Sequence, residues 1–157
     1  MKRLLFLSVL AGVALGLTGC FERDPKLYDG PRQVEFAPVR TTGAYARTIT
    51  NAAASDSLVV QLIEGEAHTE PITVNFVVRD TTIGTSQPAR SGTDYTLVDN
   101  GSVTIQPGRW SAPLRFNVLR NAAAATTRTM IVELTGNEAQ GVIPAANYKR
   151  FVLTFNR

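Results

Sequence analysis

Apolar and polar residues alternate along most of the chain beyond residue 33. Seven short segments carry an apolar residue at every second position, with polar residues such as Thr, Asn, Gln or Arg between them. These segments begin at Val34, Leu58, Ile72, Val103, Leu114, Met130 and Phe151. A period of two is typical of strands that bury one face and leave the other in water. We therefore predict an all-β domain, an immunoglobulin-like antiparallel β-sandwich of about seven to eight strands in a Greek key.

Residues with turn chemistry separate the predicted strands. Asn100-Gly101 lies between two strand-like runs, residues 95–99 and 102–106, and this dipeptide tolerates the positive φ angles of a two-residue hairpin loop. A Pro-Gly pair marks a second turn at residues 106–109, and residues 80–92 form a long polar loop. We expect a hairpin across Asn100-Gly101.

The first twenty residues have the layout of a secretory signal. Lys2 and Arg3 give a short positive region, and an apolar run over residues 4–17 follows. That run of about 14 residues would cover only about 21 Å as a helix, which is short for a hydrocarbon core of about 30 Å. We therefore expect a cleaved segment and not a permanent membrane span.

The four residues Leu17-Thr18-Gly19-Cys20 resemble the lipobox of bacterial lipoproteins. The resemblance implies cleavage before Cys20, a diacylglycerol on its thiol and an acyl chain such as palmitate on the new amino terminus. An ordinary signal peptide with an incidental cysteine is the alternative. The predicted organisation is a signal peptide over residues 1–19, a lipidated tether over 20–33 and a β-sandwich domain over 34–157.

Cys20 is the only cysteine of the chain, so no intrachain disulfide and no thiolate zinc site can form. Lipidation would consume that thiol, and we expect no other cofactor. Acidic residues follow soon after it in residues 21–24, which resembles the surface-export signal of Bacteroidetes lipoproteins. We therefore expect a lipid-anchored protein of the cell envelope, at the outer membrane.

The charge balance gives no indication of a nucleic-acid partner. The chain has 16 Lys and Arg against 13 Asp and Glu, and removal of Lys2 and Arg3 leaves 14 against 13, a net charge of +1. The remaining basic residues are scattered and form no dense run interleaved with aromatic residues. We exclude nucleic acid as the ligand.

Six segments, taken in order, resemble the Calx-beta domain over residues 58–134. They are Glu64-Gly65 and residues 72–76, 91–96, 101–108, 114–118 and 131–134. The most specific part is Gly92-Thr93-Asp94-Tyr95 followed by the Pro-Gly turn. The whole chain resembles a small Bacteroidetes lipoprotein of a Calx-beta-like group. This implies an immunoglobulin-like sandwich used for adhesion, spacing or ligand binding, without catalysis.

The same resemblance raises calcium as a ligand. Glu64 and Asp94 match two acidic positions of the family pattern, and a calcium site needs six to eight converging oxygens. Arg120, Asn121 and Arg128 stand where further acids are expected, and a basic side chain opposes a divalent cation. We expect no metal site. The alternative role for both carboxylates is to accept hydrogen bonds from backbone amides in loops.

Catalytic motifs are absent from the sequence. His68 is the only histidine and lies in a polar loop, where we expect a solvated side chain. No Gly-x-Ser-x-Gly motif is present, and a carboxylate pair drawn from Glu64, Glu66 and Glu70 would need a cleft that a small sandwich rarely provides. We predict that the protein is not an enzyme.

Aromatic residues near the strand ends leave a binding function open. Trp110 and Tyr95 are the candidate ligand contacts, since exposed rings can stack on sugars; the alternative is that they cap the core with their polar edges in water. We predict a monomeric, non-catalytic interaction, adhesion or structural module with a protein or glycan partner. The alternative function is a glycan-binding accessory lipoprotein of an outer-membrane polysaccharide uptake system.

Overall fold

The computed structural model describes residues 28–49, 54–119 and 126–156, and this part of the chain forms eleven strands and a 3₁₀ helix, Glu138–Gln140. The predicted signal peptide and Cys20 lie outside these ranges. No helix within them is long and apolar enough to span a membrane. The strands are β1 (Gln33–Phe36), β2 (Ala46–Ile49), β3 (Ser55–Ile63), β4 (Ile72–Arg79), β5 (Gln87–Pro88), β6 (Tyr95–Leu97), β7 (Ser102–Ile105), β8 (Ser111–Val118), β9 (Arg128–Gly136), β10 (Ile143–Pro144) and β11 (Arg150–Phe155).

The strands form two sheets packed face to face. The first sheet has the order β10-β1-β3-β8-β6, and the second has the order β2-β11-β9-β4-β7 with β5 also paired to β9. The predicted all-β sandwich is confirmed. Each of the seven alternating segments is a strand, namely β1, β3, β4, β7, β8, β9 and β11. Their apolar positions face the partner sheet, as the burial pattern of β8, Ser111–Val118, shows at every second residue.

Short strands at the sheet margins depart from the prediction. β2, β5 and β10 are two to four residues long and pair in parallel with β11, β9 and β1 respectively. Two-residue strands such as β5 and β10 are too short for a period of two to be detectable. They are strands because longer neighbours supply their hydrogen bonds.

The predicted hairpin at Asn100-Gly101 is wrong. β6 pairs with β8 in the first sheet, whereas β7 pairs with β4 in the second. Gly101 does have a positive φ of 81°, but its N–H donates to the oxygen of Asp99 and its own oxygen accepts from Phe76. The glycine therefore turns the chain from one sheet to the other, and each flanking strand pairs elsewhere.

Aromatic pairs join the two sheets inside the core. Phe36 of the first sheet meets Phe151 of the second edge to face, with ring centroids 5.7 Å apart. At the other end of the core, Tyr95 lies parallel to Phe155 at 6.4 Å. Such pairs contribute about 0.5–1.5 kcal/mol beyond the area that they bury.

The sandwich has two distinct ends. The tether end holds residues 28–32, 64–71, 106–110 and 137–142, and the described part of the chain enters there. Hydrogen bonds from the Arg32 guanidinium to Gln140 O and from Gly108 N–H to His68 O connect these segments. The distal end holds residues 80–94 and 119, joined by the hydrogen bond from Leu119 N–H to Asp94 O. β3 runs from one end to the other, and its nine residues span roughly 26 Å at about 3.3 Å per residue.

Candidate functional site

An exposed tryptophan lies at the tether end beside a buried histidine. Trp110 precedes β8 and is 47% exposed, whereas His68 is 6% exposed. Their rings meet edge to face, with centroids 6.5 Å apart. The N–H of Leu62 donates to the backbone oxygen of Trp110 at 2.9 Å, so the first sheet fixes the backbone beneath the indole.

His68 is held between two oxygen acceptors. Its Nδ1 lies 2.6 Å from Oε1 of Glu64, and its Nε2 lies 3.0 Å from the backbone oxygen of Gln106. Arg32 Nε donates to the second oxygen of Glu64 at 2.7 Å. The prediction of a solvated His68 is therefore wrong, because the surrounding segments cover the ring and supply acceptors that compensate for its burial. Glu64 accepts from two side chains and, among the residues that the structure describes, from none of the backbone amides that the sequence suggested.

The segment Gly92-Thr93-Asp94-Tyr95 belongs to a closed turn at the distal end. The N–H of Arg90 donates to Oδ2 of Asp94 at 2.8 Å, and the N–H of Asp94 donates to Arg90 O at 2.8 Å. Asp94 is fully buried, and Arg128 Nε lies 3.6 Å from the same carboxylate oxygen. Asp94 therefore serves the turn by accepting a backbone hydrogen bond, which is the alternative role that the sequence suggested.

A cleft of about 430 Å³ opens beside this turn. Its walls combine apolar surface with a carboxylate, a guanidinium and a hydroxyl group. The residues that line it include Val78, Pro88 and Tyr95 together with Asp80, Arg90 and Ser91. A volume in this range is typical of small-molecule sites, which carry a few polar groups in apolar walls.

Two other depressions, of about 370 and 410 Å³, lie along the sheets. The first contains Asp56, which forms an ion pair with Arg47. The second contains Asp99, whose Oδ2 accepts from the N–H of Arg115 at 2.6 Å. In the distal cleft, the side chains of Asp80 and Arg90 form no ion pair with the described part of the chain. The distal cleft therefore has a carboxylate and a guanidinium available to a ligand.

Tyr95 lines the cleft but is almost completely buried. The residue is 4% exposed because Phe155 lies parallel to its ring in the core. Burial raises the pKa of the Tyr95 phenol, and the negative charges of Asp80 and Asp94 raise it further. The phenol therefore stays protonated at neutral pH. With its ring covered, Tyr95 has no face free for a sugar, and we assign it no stacking role.

The structure separates both pairs of residues that the sequence proposed for ligands. Trp110 and Glu64 lie at the tether end, whereas Tyr95 and Asp94 lie at the distal end. The length of β3 places the two ends roughly 26 Å apart, so neither pair can contact one small ligand. The lipidation site Cys20 and its lipobox residues Leu17, Thr18 and Gly19 lie outside the described residues.

The charged groups of the distal cleft were missed in the sequence. Asp80, Arg90 and Ser91 fall in the segment that we interpreted as a polar loop, and nothing in its pattern distinguishes a cleft wall from a solvated connection. The signal that could have located them is the neighbouring Gly-Thr-Asp-Tyr motif. That motif closes the turn which brings the loop against Tyr95.

Comparison with known proteins finds similar solved structures. No family profile and no curated protein matches this chain. The apo form of the Calx CBD1 domain matches with a TM-score of 0.58 and 18% identity, over 80% of this chain and 96% of that one. A two-domain protein of unknown function from Bacteroides fragilis matches with a TM-score of 0.61 and 13% identity, over 93% of this chain and 49% of that one. A proposed carbohydrate-binding protein from Bacteroides ovatus matches with a TM-score of 0.57 and 11% identity, over 80% of this chain and 37% of that one.

This chain has the Calx-beta sandwich fold. At these identities the likeness extends to the fold alone, and this chain spans about half or less of the two Bacteroides proteins. At the distal end of the sandwich, the Arg128 guanidinium lies beside Asp94. Within the part of the chain that the structure describes, no group of three or more His, Cys, Asp or Glu residues is placed to hold a metal ion.

Proposed function

We propose that this chain is a lipid-anchored, non-catalytic binding module of the bacterial cell envelope. The observation that carries the proposal is that the two ends of the sandwich differ. The described chain enters at the tether end, and the cleft with Asp80 and Arg90 opens at the distal end. A lipid on Cys20 would hold the tether end toward the membrane and leave the cleft facing away from it.

The anchor rests on the order of residues at the start of the chain. A positive region, a short apolar run and Leu17-Thr18-Gly19-Cys20 follow one another as in lipoprotein precursors. Two or three acyl chains, at about 0.8 kcal/mol per buried methylene, give stable anchoring where one chain is marginal. The acidic residues that follow Cys20 favour the outer membrane within this proposal.

Labelling with a palmitate analogue, followed by partition into a detergent phase, tests the anchor. The wild-type protein should incorporate the label and enter the detergent phase. A Cys20→Ser variant should do neither and should keep the mass of the precursor. Ser8→Ala, a change within the apolar run, is the matched control and should behave as wild type. A Cys20→Ser protein that still enters the detergent phase at the mature mass would refute the anchor.

The state of the buried carboxylates supports a non-catalytic role. The side chains of Glu64, Asp94 and Glu133 are at most 7% exposed, and each lies beside an arginine within ion-pair distance. A general acid or base must reach a substrate proton, directly or through one water. Carboxylates already engaged by arginines beneath the surface are suited to holding the fold together.

Glycan binding is the second candidate function, and the distal cleft favours it. A free carboxylate accepts hydrogen bonds and a free guanidinium donates them, so Asp80, Arg90 and Ser91 can together serve adjacent sugar hydroxyls. The fold similarity to a proposed carbohydrate-binding protein from Bacteroides ovatus agrees with this choice.

Native gels that contain neutral polysaccharides test the glycan candidate. We expect retention of the wild-type protein by at least one polysaccharide, and about tenfold weaker retention of Asp80→Asn, a difference of about 1.4 kcal/mol. Trp110→Ala changes the opposite end and should leave retention unchanged. Loss of retention in Trp110→Ala alone would move the site to the tether end. If no polysaccharide retains the protein, glycan binding is refuted. The lipid anchor is not affected by that result, because the labelling experiment tests it separately.

A further inference from the structure

The outer face of the second sheet carries a buried carboxylate surrounded by cations. Glu133 lies on β9 between Val132 and Leu134, which face the core, so its side chain points to the outer face. Glu133 is nevertheless only 5% exposed. Nε of Arg79 and Nε of Arg150 lie 2.9 and 3.1 Å from its Oε2, and Lys149 Nζ lies 3.7 Å from its Oε1.

The strand register explains why these side chains meet. Arg150 of β11 stands directly opposite Glu133, and Val77 of β4 stands opposite it on the other side. Arg79 is two residues further along β4 and reaches Glu133 diagonally, which long side chains can do. The two arginines thus reach the same carboxylate oxygen from the strands on either side of β9, whose backbones lie about 10 Å apart.

Glu133 holds the two guanidinium groups in fixed positions. Both arginines approach through Nε, so the far edge of each guanidinium, with its Nη–H donors, is turned away from the carboxylate. The side chains of Arg79 and Arg150 remain 52% and 63% exposed. Burial raises the pKa of Glu133, but hydrogen bonds and charges from the two arginines outweigh it and lower the pKa below its ordinary value. The carboxylate therefore stays ionised and keeps its hold on both arginines at neutral pH.

The patch has more positive than negative charge. Arg79, Lys149 and Arg150 surround the one carboxylate of Glu133, which leaves a surplus of two positive charges. We propose that this patch binds the carboxylate or sulfate groups of an acidic polysaccharide through the free edges of the two guanidinium groups. Planar guanidinium groups match such oxyanions with paired hydrogen bonds. The site goes beyond the function proposed above, because it lies on a sheet face and not in the distal cleft.

The surroundings of the patch favour a polysaccharide over a membrane surface. The nearest outward residues are Val77, Ile131 and Val152, which carry no charge. The strands run between the tether end and the distal end, so this face is turned sideways when the tether end points to the membrane. An extended polymer can lie along such a face, whereas a bilayer would approach the end.

Binding of the lipidated, detergent-solubilised protein to immobilised oligogalacturonate and to dextran sulfate tests the proposal. Neutral oligogalactose and vesicles rich in phosphatidylglycerol serve as comparison surfaces. We expect binding to at least one acidic saccharide, weaker binding with added salt, and at least tenfold weaker binding to the neutral saccharide. No binding to either acidic saccharide, or tighter binding to the vesicles, would overturn the proposal.

Glu133→Gln separates fixed geometry from simple charge attraction. The substitution makes the patch more positive, so charge attraction alone predicts tighter binding. Our proposal predicts about tenfold weaker binding, because the arginines lose the group that positions them. Equal or tighter binding by a folded Glu133→Gln protein would contradict it.

Arg150→Lys covers the case in which Glu133→Gln does not fold. Lysine keeps the charge and can still pair with Glu133, but it lacks the planar group, so binding should again weaken by about tenfold. Unchanged binding by Arg150→Lys would contradict the proposal. Arg109→Lys makes the same change at an exposed arginine of the tether end and should leave binding to acidic saccharides intact. The cleft is tested separately with neutral polysaccharides, so failure of the patch and failure of the cleft give different results.

Discussion

Glu133 makes the stability of the domain depend on pH in the acidic range. Although burial acts in the opposite direction, the two arginines hold its pKa below the ordinary value of 4.5 in the folded chain. The stabilisation is therefore present above the unfolded pKa and is lost as the pH falls through the folded pKa. Glu133→Gln should cost about 1–3 kcal/mol at neutral pH, and its unfolding free energy should change less on acidification than that of the wild type.

Urea unfolding at about pH 7 and about pH 3 measures this difference. Glu138→Gln is the matched control, because Glu138 is an exposed glutamate in the 3₁₀ helix and should leave the pH profile unchanged. If acidification lowers the free energy of unfolding equally in the wild type and in Glu133→Gln, other carboxylates cause the acid sensitivity.

His68 is a second residue whose contacts predict a large effect. His68→Ala removes the imidazole between Glu64 and the backbone oxygen of Gln106, and Glu64 keeps Arg32 as a partner. We expect a loss of about 2–3 kcal/mol in the free energy of unfolding. Thr69→Ala, at the exposed neighbouring position, should change it by less than about 0.5 kcal/mol. Chemical denaturation followed by Trp110 fluorescence gives both values, and equal values would mean that the buried network adds nothing.

At the scale of the strands, two glycines with the same backbone requirement differ in their surroundings. Gly108 and Gly136 have φ angles of 69° and 73°. A methyl group on Gly108 meets nothing, whereas one on Gly136 collides with the backbone oxygen of Val142, beside the register shift in β4. Gly108→Ala should therefore cost about 1–2 kcal/mol from backbone strain alone, and Gly136→Ala clearly more. Thermal unfolding of both variants measures the difference, and equal melting temperatures would show that the end of β9 relaxes freely.

The strands also show which parts of the fold the sequence could predict. Long strands such as β4 and β8 were predicted because every second residue must be apolar to fill the core between two sheets. The hairpin at Asn100-Gly101 was mispredicted because this dipeptide suits any corner with a positive φ. Which sheet each neighbouring strand joins is decided by the distant strands β4 and β8. The candidate site was less predictable for the same reason. Trp110 and Tyr95 look equivalent in the sequence, and only the topology places them at opposite ends of the sandwich.

At the scale of the whole molecule, charge distinguishes the end where the chain enters. Asp29, Glu66, Glu70 and Glu138 are exposed at the tether end, against the exposed Arg109. A bilayer that contains anionic lipids repels such a surface within a Debye length of about 8 Å. Within the proposed anchor, seven residues lie between Cys20 and residue 28, and the eight steps along the chain allow at most about 29 Å between them. The domain therefore has room to stand away from the lipid.

Trp110 reports on this arrangement because it is the only tryptophan of the chain and lies exposed at the tether end. In vesicles with phosphatidylglycerol, we expect its fluorescence to resist quenching by brominated lipids and to respond to acrylamide in water. Replacing Glu66 and Glu70 with Gln should bring Trp110 closer and increase the lipid quenching, since repulsion is reduced. A control protein with Trp110→Phe and Ile83→Trp carries its tryptophan at an exposed distal position and should show no lipid quenching in either background. Strong lipid quenching of Trp110 in the wild type would mean that the indole contacts the bilayer and that the acidic end does not keep the domain away from it.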